Sequence, residues 1–163
     1  MQKMAISLIM ILVFAMGALF VRVATVGHEP SEWHVDPFSI ERPVSPNTYY
    51  LAVPSMVSAR VDREAPIYTV PTAIMAKAFN DYVLTQSNVI LLAGSVEEGW
   101  LTYVQRTPTL RIPDYITVKF VDFEDGSGST LAIYSRSRYG YGDMGYNKAR
   151  VENWLQSLSS FEE

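Results

Sequence analysis

The chain has 163 residues, 48% of them hydrophobic and 18% charged, enough for one domain with a real core and too apolar for a disordered polar tail. It contains no cysteine, which excludes disulfides, thiolate metal sites and a cysteine nucleophile, and its two histidines leave no basis for a multi-histidine metal centre. A net charge of -4 provides no basic excess with which to grip nucleic acid.

Residues 4–21 carry no charge. As a helix they would span about 27 Å, close to the thickness of a bilayer's hydrocarbon core. Lys3 precedes the run, and Arg22 ends it within snorkelling reach of an interface. The pattern predicts an uncleaved single-pass anchor over 1–26. The alternative is a signal peptide cut after Gly17, with Ala15 and Gly17 as the small residues, but that cut falls inside the apolar run. The flanking charges nearly tie, so they set no orientation. The absence of cysteine fits a domain exported without oxidative folding, on the periplasmic side. Setting aside Lys3 and Arg22 lowers the basic residues from 13 to 11 against 17 acidic ones, a remainder of -6. An anionic bilayer repels such a domain, which is therefore expected to stand off the surface.

Residues 27–54 hold five prolines and show neither helical nor alternating period. They read as a stiff connector. Trp33, Phe38, Tyr49 and Tyr50 make it too apolar for a free linker, so its second half is expected on the surface of a domain spanning 55–163. Within 65–86, Ile74, Met75, Ala78, Phe79, Tyr82 and Val83 recur at helical spacing. Pro71 suits the first turn of that helix and Thr69 its N-cap. Short strands are predicted near 88–93, 100–106, 116–121 and 130–138, with a turn at 95–99 and a hairpin at Asp125-Gly126-Ser127-Gly128. Pro108 and Pro113 bracket an irregular excursion. A last helix is expected to start at an Asn147 cap and to face inward with Val151, Trp154, Leu155 and Leu158; residues 159–163 should fray. Consecutive strands joined by tight turns, with one amphipathic helix before and one after, predict a two-layer α+β sandwich: an antiparallel sheet with two helices on one face, behind a transmembrane helix.

Residues 135–150 read SRSRYGYGDMGYNKAR. Arg136 and Arg138 share one face of a strand, and Ser135 and Ser137 the other. Gly140, Gly142 and Gly145 free the loop backbone, which then delivers amides at a helix start. Two readings follow. In one, the arginines meet a carboxylate or phosphate, Asp143 orients one of them, and Asn147 caps the helix. In the other, Asp114, Asp143 and Glu152 pair with Arg106, Arg136, Arg138 and Arg150 as internal glue. Arg106 and Asp114 flank the proline excursion and are placed to pair across it. Tyr139, Tyr141 and Tyr146 are expected to pack over the glycines. The stretch is neither a P-loop nor a dinucleotide fingerprint. Glu29, Glu32, His34 and Asp36 read as a solvated acidic stretch and not as a metal site. Neither histidine is near a glycine-framed serine in sequence, so no catalytic constellation is evident. A hydrolase would need Asp143 or Asp114 as base.

The same stretch resembles the C-terminal signature of the bacterial and plastid family called domain of unknown function 1499. Arg136, Arg138, Gly140, Asp143, Gly145, Asn147 and Arg150 match it, and Arg106 and Pro113-Asp114 fit upstream. The similarity covers about Ser45 to Leu158. The segments Pro46-Asn47 to Pro54 and Ala65-Pro66 resemble the proteobacterial branch with a hydrophobic N-terminus. The resemblance implies an envelope-associated domain and no assigned activity, because fold alone does not give function. The expectation is a non-enzymatic, membrane-anchored protein without a cofactor. Its partner would be a small anionic molecule, a lipid head group or an envelope protein, met by Arg136, Arg138, Asp143 and Asn147 with Arg106 and Asp114 in support.

Overall fold

A computed structural model describes residues 2–163. Helix α1 (Gln2–Thr25) has no buried residue and is long and apolar enough to cross a membrane. A single turn, α2 (Pro30–Trp33), follows. The remaining elements are β1 (Thr48–Ala52), β2 (Arg63–Glu64), α3 (Thr72–Val83), β3 (Val89–Ser95), β4 (Trp100–Arg106), β5 (Pro113–Asp122), β6 (Ser129–Ser137) and α4 (Tyr146–Leu155). The six strands form one sheet in the order β2-β1-β6-β5-β4-β3.

The α+β class holds, with one correction: the sheet is mixed. β1 runs antiparallel to β6 but parallel to the two-residue β2. The expected connector also ends too late, because Thr48–Ala52 is an inner strand buried along its whole length. Tyr49 and Leu51 join the helix-side core, whereas Tyr50 and Ala52 pack on the other side. A strand covered on both faces loses the alternation that marks a strand in sequence. The prolines at 46 and 54 bracket β1 without entering it.

One side of the sheet carries α3 and α4. Met75, Ala76, Phe79 and Val83 bury one stripe of α3, while Ile74 stays half exposed. Val151, Trp154, Leu155 and Leu158 bury the facing stripe of the C-terminal segment. Phe79 and Trp154 meet edge to face at 6.1 Å, and Tyr103 and Trp154 at 5.8 Å, over Leu51, Ile116, Val118 and Ile133. Helix α3 starts later than expected, with Pro71 as its N-cap residue. Its first amide is capped from outside the helix: Asp122 of β5 accepts from the Thr72 N–H at 2.9 Å and from its hydroxyl at 2.9 Å. Residues 159–163 do not fray. The Thr69 N–H donates to Phe161 O (3.0 Å) and the Glu163 N–H to Ile67 O (3.2 Å).

The other side is covered by the chain that leaves α1. Trp33 stacks on Tyr115 with ring centroids 3.5 Å apart, His34 stacks on Trp100 at 4.1 Å, and Tyr50 donates its hydroxyl to Pro37 O at 2.6 Å. Asp36 pairs with Lys119. Residues 27–40 are therefore a strap fixed across the sheet.

Candidate functional site

Strand alternation and the packing of α4 divide five of the six candidate residues between two sites, and the sixth, Asp143, caps α4. On β6, Ser135 and Ser137 point to the helices and Arg136 points to the strap, as does Arg138 just past the strand's end. Asp114 and Asn147 belong to the helix side, and Arg106 to the strap side. Arg106 and Asp114 therefore do not pair across the excursion.

The helix-side site is a closed polar network. Arg150 forms an ion pair with Asp114, whose side chains are 8% and 4% exposed. Its guanidinium also donates to Asn147 Oδ1 (2.7 Å), Ser135 Oγ (3.2 Å) and Gln105 Oε1. Asn147 is fully buried. Its amide donates to Asn47 O at 2.9 Å and Ser137 Oγ at 3.1 Å. Gln105, Asp114 and Ser137 sit opposite one another on three adjacent strands, so the network fastens the start of α4 to the sheet. The remaining acids do not meet the strap-side arginines. Glu152 pairs with Arg63 and accepts the Tyr49 hydroxyl at 2.7 Å. Asp143, not Asn147, caps α4: it accepts from the Asn147 N–H at 2.7 Å and the Gly145 N–H at 3.1 Å. Gly145, at φ 81°, supplies the left-handed entry to the helix.

The strap-side site holds three guanidiniums. Arg106, Arg136 and Arg138 have no carboxylate within ion-pair distance among the described residues. Main-chain carbonyls receive them instead. Arg106 donates to Val23 O (3.1 Å), Val26 O (2.8 Å) and Arg111 O (2.7 Å). Arg138 donates to Gly27 O and to the Tyr115 hydroxyl, each at 2.9 Å. Arg136 donates to Glu32 O (3.3 Å) and Trp33 O (3.2 Å). Trp33 also presents its ring to two of them, 4.8 Å from Arg136 and 5.4 Å from Arg138, within cation–π range. Val23 belongs to the last turn of α1, so Arg106 satisfies carbonyls at the negative end of that helix.

His28 closes this cluster. Its Nε2 lies 3.0 Å from Arg106 Nη2 and its Nδ1 2.7 Å from the Tyr115 hydroxyl. A guanidinium only donates, so Nε2 accepts and the proton sits on Nδ1. Burial, and then the charges of Arg106 and Arg138, lower the His28 pKa. Burial, followed by the neighbouring Arg111 charge, lowers that of Arg106, and burial lowers that of Arg136. Three half-buried guanidiniums thus gather beside a neutral imidazole, with carbonyls, the Tyr115 hydroxyl and the Trp33 ring as their partners.

A nearby cleft of about 240 Å³ is lined by Val35, Asp36, Ser39, Ile40, Glu41, Tyr134 and Arg136. Its two carboxylates make it a poor anion pocket. His34 bonds Thr102 and Asp36 pairs with Lys119, so the connector's acidic cluster does not converge. The Tyr139, Tyr141 and Tyr146 side chains do not pack over the glycines. They are 39%, 79% and 61% exposed.

Sequence reasoning missed His28, Tyr115 and Trp33 as members of the arginine site and Arg150 as the hub of the buried network. The one available signal was the aromatic content of the connector, which needed a surface to cover. The model of the family described as "Protein of unknown function (DUF1499)" matches residues 41–158, a span that includes β1 and the residues 135–150. No curated protein matches the chain.

Proposed function

The chain belongs to the family of unknown function DUF1499, and from that premise we propose that it is a single-pass membrane protein whose domain binds an anionic group without catalysing a reaction. The observation that carries this reading is the set of three guanidiniums, Arg106, Arg136 and Arg138, without a carboxylate partner among the described residues, of which Arg106 meets the last turn of α1 and the others the strap that follows it. A phosphate or carboxylate reaching them would exchange neutral carbonyl partners for charge-assisted bonds, which are about twice as strong. Both acids that a hydrolase would need are already engaged, Asp114 by Arg150 and Asp143 by the α4 amides. The cysteine-free sequence and the envelope association implied by the family resemblance support a domain on the periplasmic side.

The test is native mass spectrometry of the full chain extracted gently from its own membrane, beside an Arg106→Gln/Arg138→Gln variant. The expected result is a discrete adduct on the wild type that is absent from the folded variant. A bare wild type would sink the reading. It would favour a second one, a structural interaction module, which is supported by the closed Asp114–Arg150–Asn147 network.

A further inference from the structure

The two ends of the sheet differ in chemistry. At one end lie the β3–β4 turn, with Glu97 and Glu98, and the β5–β6 hairpin, with Asp122, Glu124 and Asp125. The C-terminal Glu162 and Glu163 are tied beside Tyr68 at that same end. At the other end lie the turn 107–112 and the loop 138–145, which carry Arg111 and Arg138, with Lys148 in the first turn of α4. Acids on that side include Asp114, paired with Arg150, Asp143, held as a helix cap, and the strap's Glu29 and Glu32, fewer than the bases they face. The net acidity of the domain is therefore displaced to one pole.

The basic pole is also the apolar one. Leu110, Tyr141, Met144 and Tyr146 are 53%, 79%, 93% and 61% exposed there. Met144 is held at φ 52°, a conformation unusual for a residue with a side chain, at the tip of its loop. Helix α1 leaves from this end: the Val23 carbonyl of its last turn and the Val26 carbonyl just beyond it meet Arg106, the last residue of β4, and the helix buries no residue against the domain. A membrane-spanning α1 would thus hold both loop tips at the level where its apolar run meets the lipid head groups.

We propose that the loops 107–112 and 138–145, with Tyr146 at the start of α4, form a membrane-docking surface whose occupant is the anionic bilayer around α1. Tyrosines suit the head-group level, leucine and methionine the acyl boundary, and arginine and lysine the lipid phosphates. The proposal rests on the anchor reading of α1. It replaces the expectation that an acidic domain stands off the bilayer, because the acidic pole points away from it.

The lack of cysteine makes the test direct. Full-length Met144→Cys, Tyr141→Cys, Asp125→Cys and Ala18→Cys variants carry an environment-sensitive fluorophore in vesicles of phosphatidylcholine with or without phosphatidylglycerol, and are quenched by brominated lipid. Labels at 144 and 141 should be quenched several-fold more than at 125, and more strongly with phosphatidylglycerol. Arg111→Glu/Lys148→Glu in the Met144→Cys background should remove that lipid dependence. Strong quenching at 18 with equal, weak quenching at 144, 141 and 125 would overturn the docking surface and leave the anchor standing. No quenching at 18 would overturn the anchor, and the docking surface with it.

Discussion

Arg150 and Asp114 show how one pair can matter more than a list of surface charges. Both side chains are almost wholly buried, so removing one strands the other. Arg150→Met should cost about 3–5 kcal/mol in urea unfolding, and the double variant with Asp114→Leu should recover part of it. Asp143 does a smaller job. Because it caps α4 and touches no arginine, Asp143→Ala should cost only about 1 kcal/mol, which thermal unfolding would resolve. The histidines set a pH dependence. Burial lowers the pKa of His28, reinforced by Arg106 and Arg138, and burial also lowers that of His34. As pH falls through 6.5, the ordinary histidine value, the unfolded chain takes up protons that the folded chain refuses, so stability declines. It levels off once the folded histidines also protonate. The midpoint temperature should therefore be lower at acid than at neutral pH, and flatter with pH in a His28→Asn/His34→Asn variant. An unchanged profile in that variant would assign the loss to other groups.

Each element owes its place to what covers it. Helices α3 and α4 meet through Phe79 and Trp154, and Phe79, which is fully buried, should cost about 3–5 kcal/mol as Phe79→Ala. The strap is held differently, by aromatic stacks, by carbonyls on arginines and by two apolar clusters smaller than the helix-side core. Trp33→Ala removes the ring against Tyr115, Arg136 and Arg138 together. Amide exchange across residues 29–39 should then accelerate while the amides of β4 to β6 keep their protection, as expected of a segment that opens locally. Helical periodicity made both long amphipathic helices visible in sequence, and hairpin chemistry did the same for β5 and β6. β1 was hidden because its buried residues face both ways, and β2 because two residues carry no pattern.

The molecule is a sheet closed on one face by helices and on the other by the chain that comes from the apolar helix. That arrangement moves the domain boundary upstream of 55. A fragment beginning at residue 55 would lack β1 and leave β6 as a bare inner edge, so it should aggregate. A fragment beginning at residue 27 should give a folded, cooperative monomer in circular dichroism and light scattering. The family match from residue 41 also includes β1. At this scale the net charge misleads, because acidic turns and basic loops lie at opposite ends of the strands.

Composition and local pattern alone established the apolar N-terminal helix, the α+β class and the two covering helices. Those properties depend on neighbours within a turn or a hairpin, and short-range spacing records them. Tertiary structure decided which arginine met which partner. Alternation along β6 could say that Arg136 and Arg138 share a face, but not whether helices or strap would cover it. That choice came from long-range packing: the apolar side of the sheet took Phe79 and Trp154, and the strap received the three arginines on carbonyls about 80 to 110 residues away in sequence.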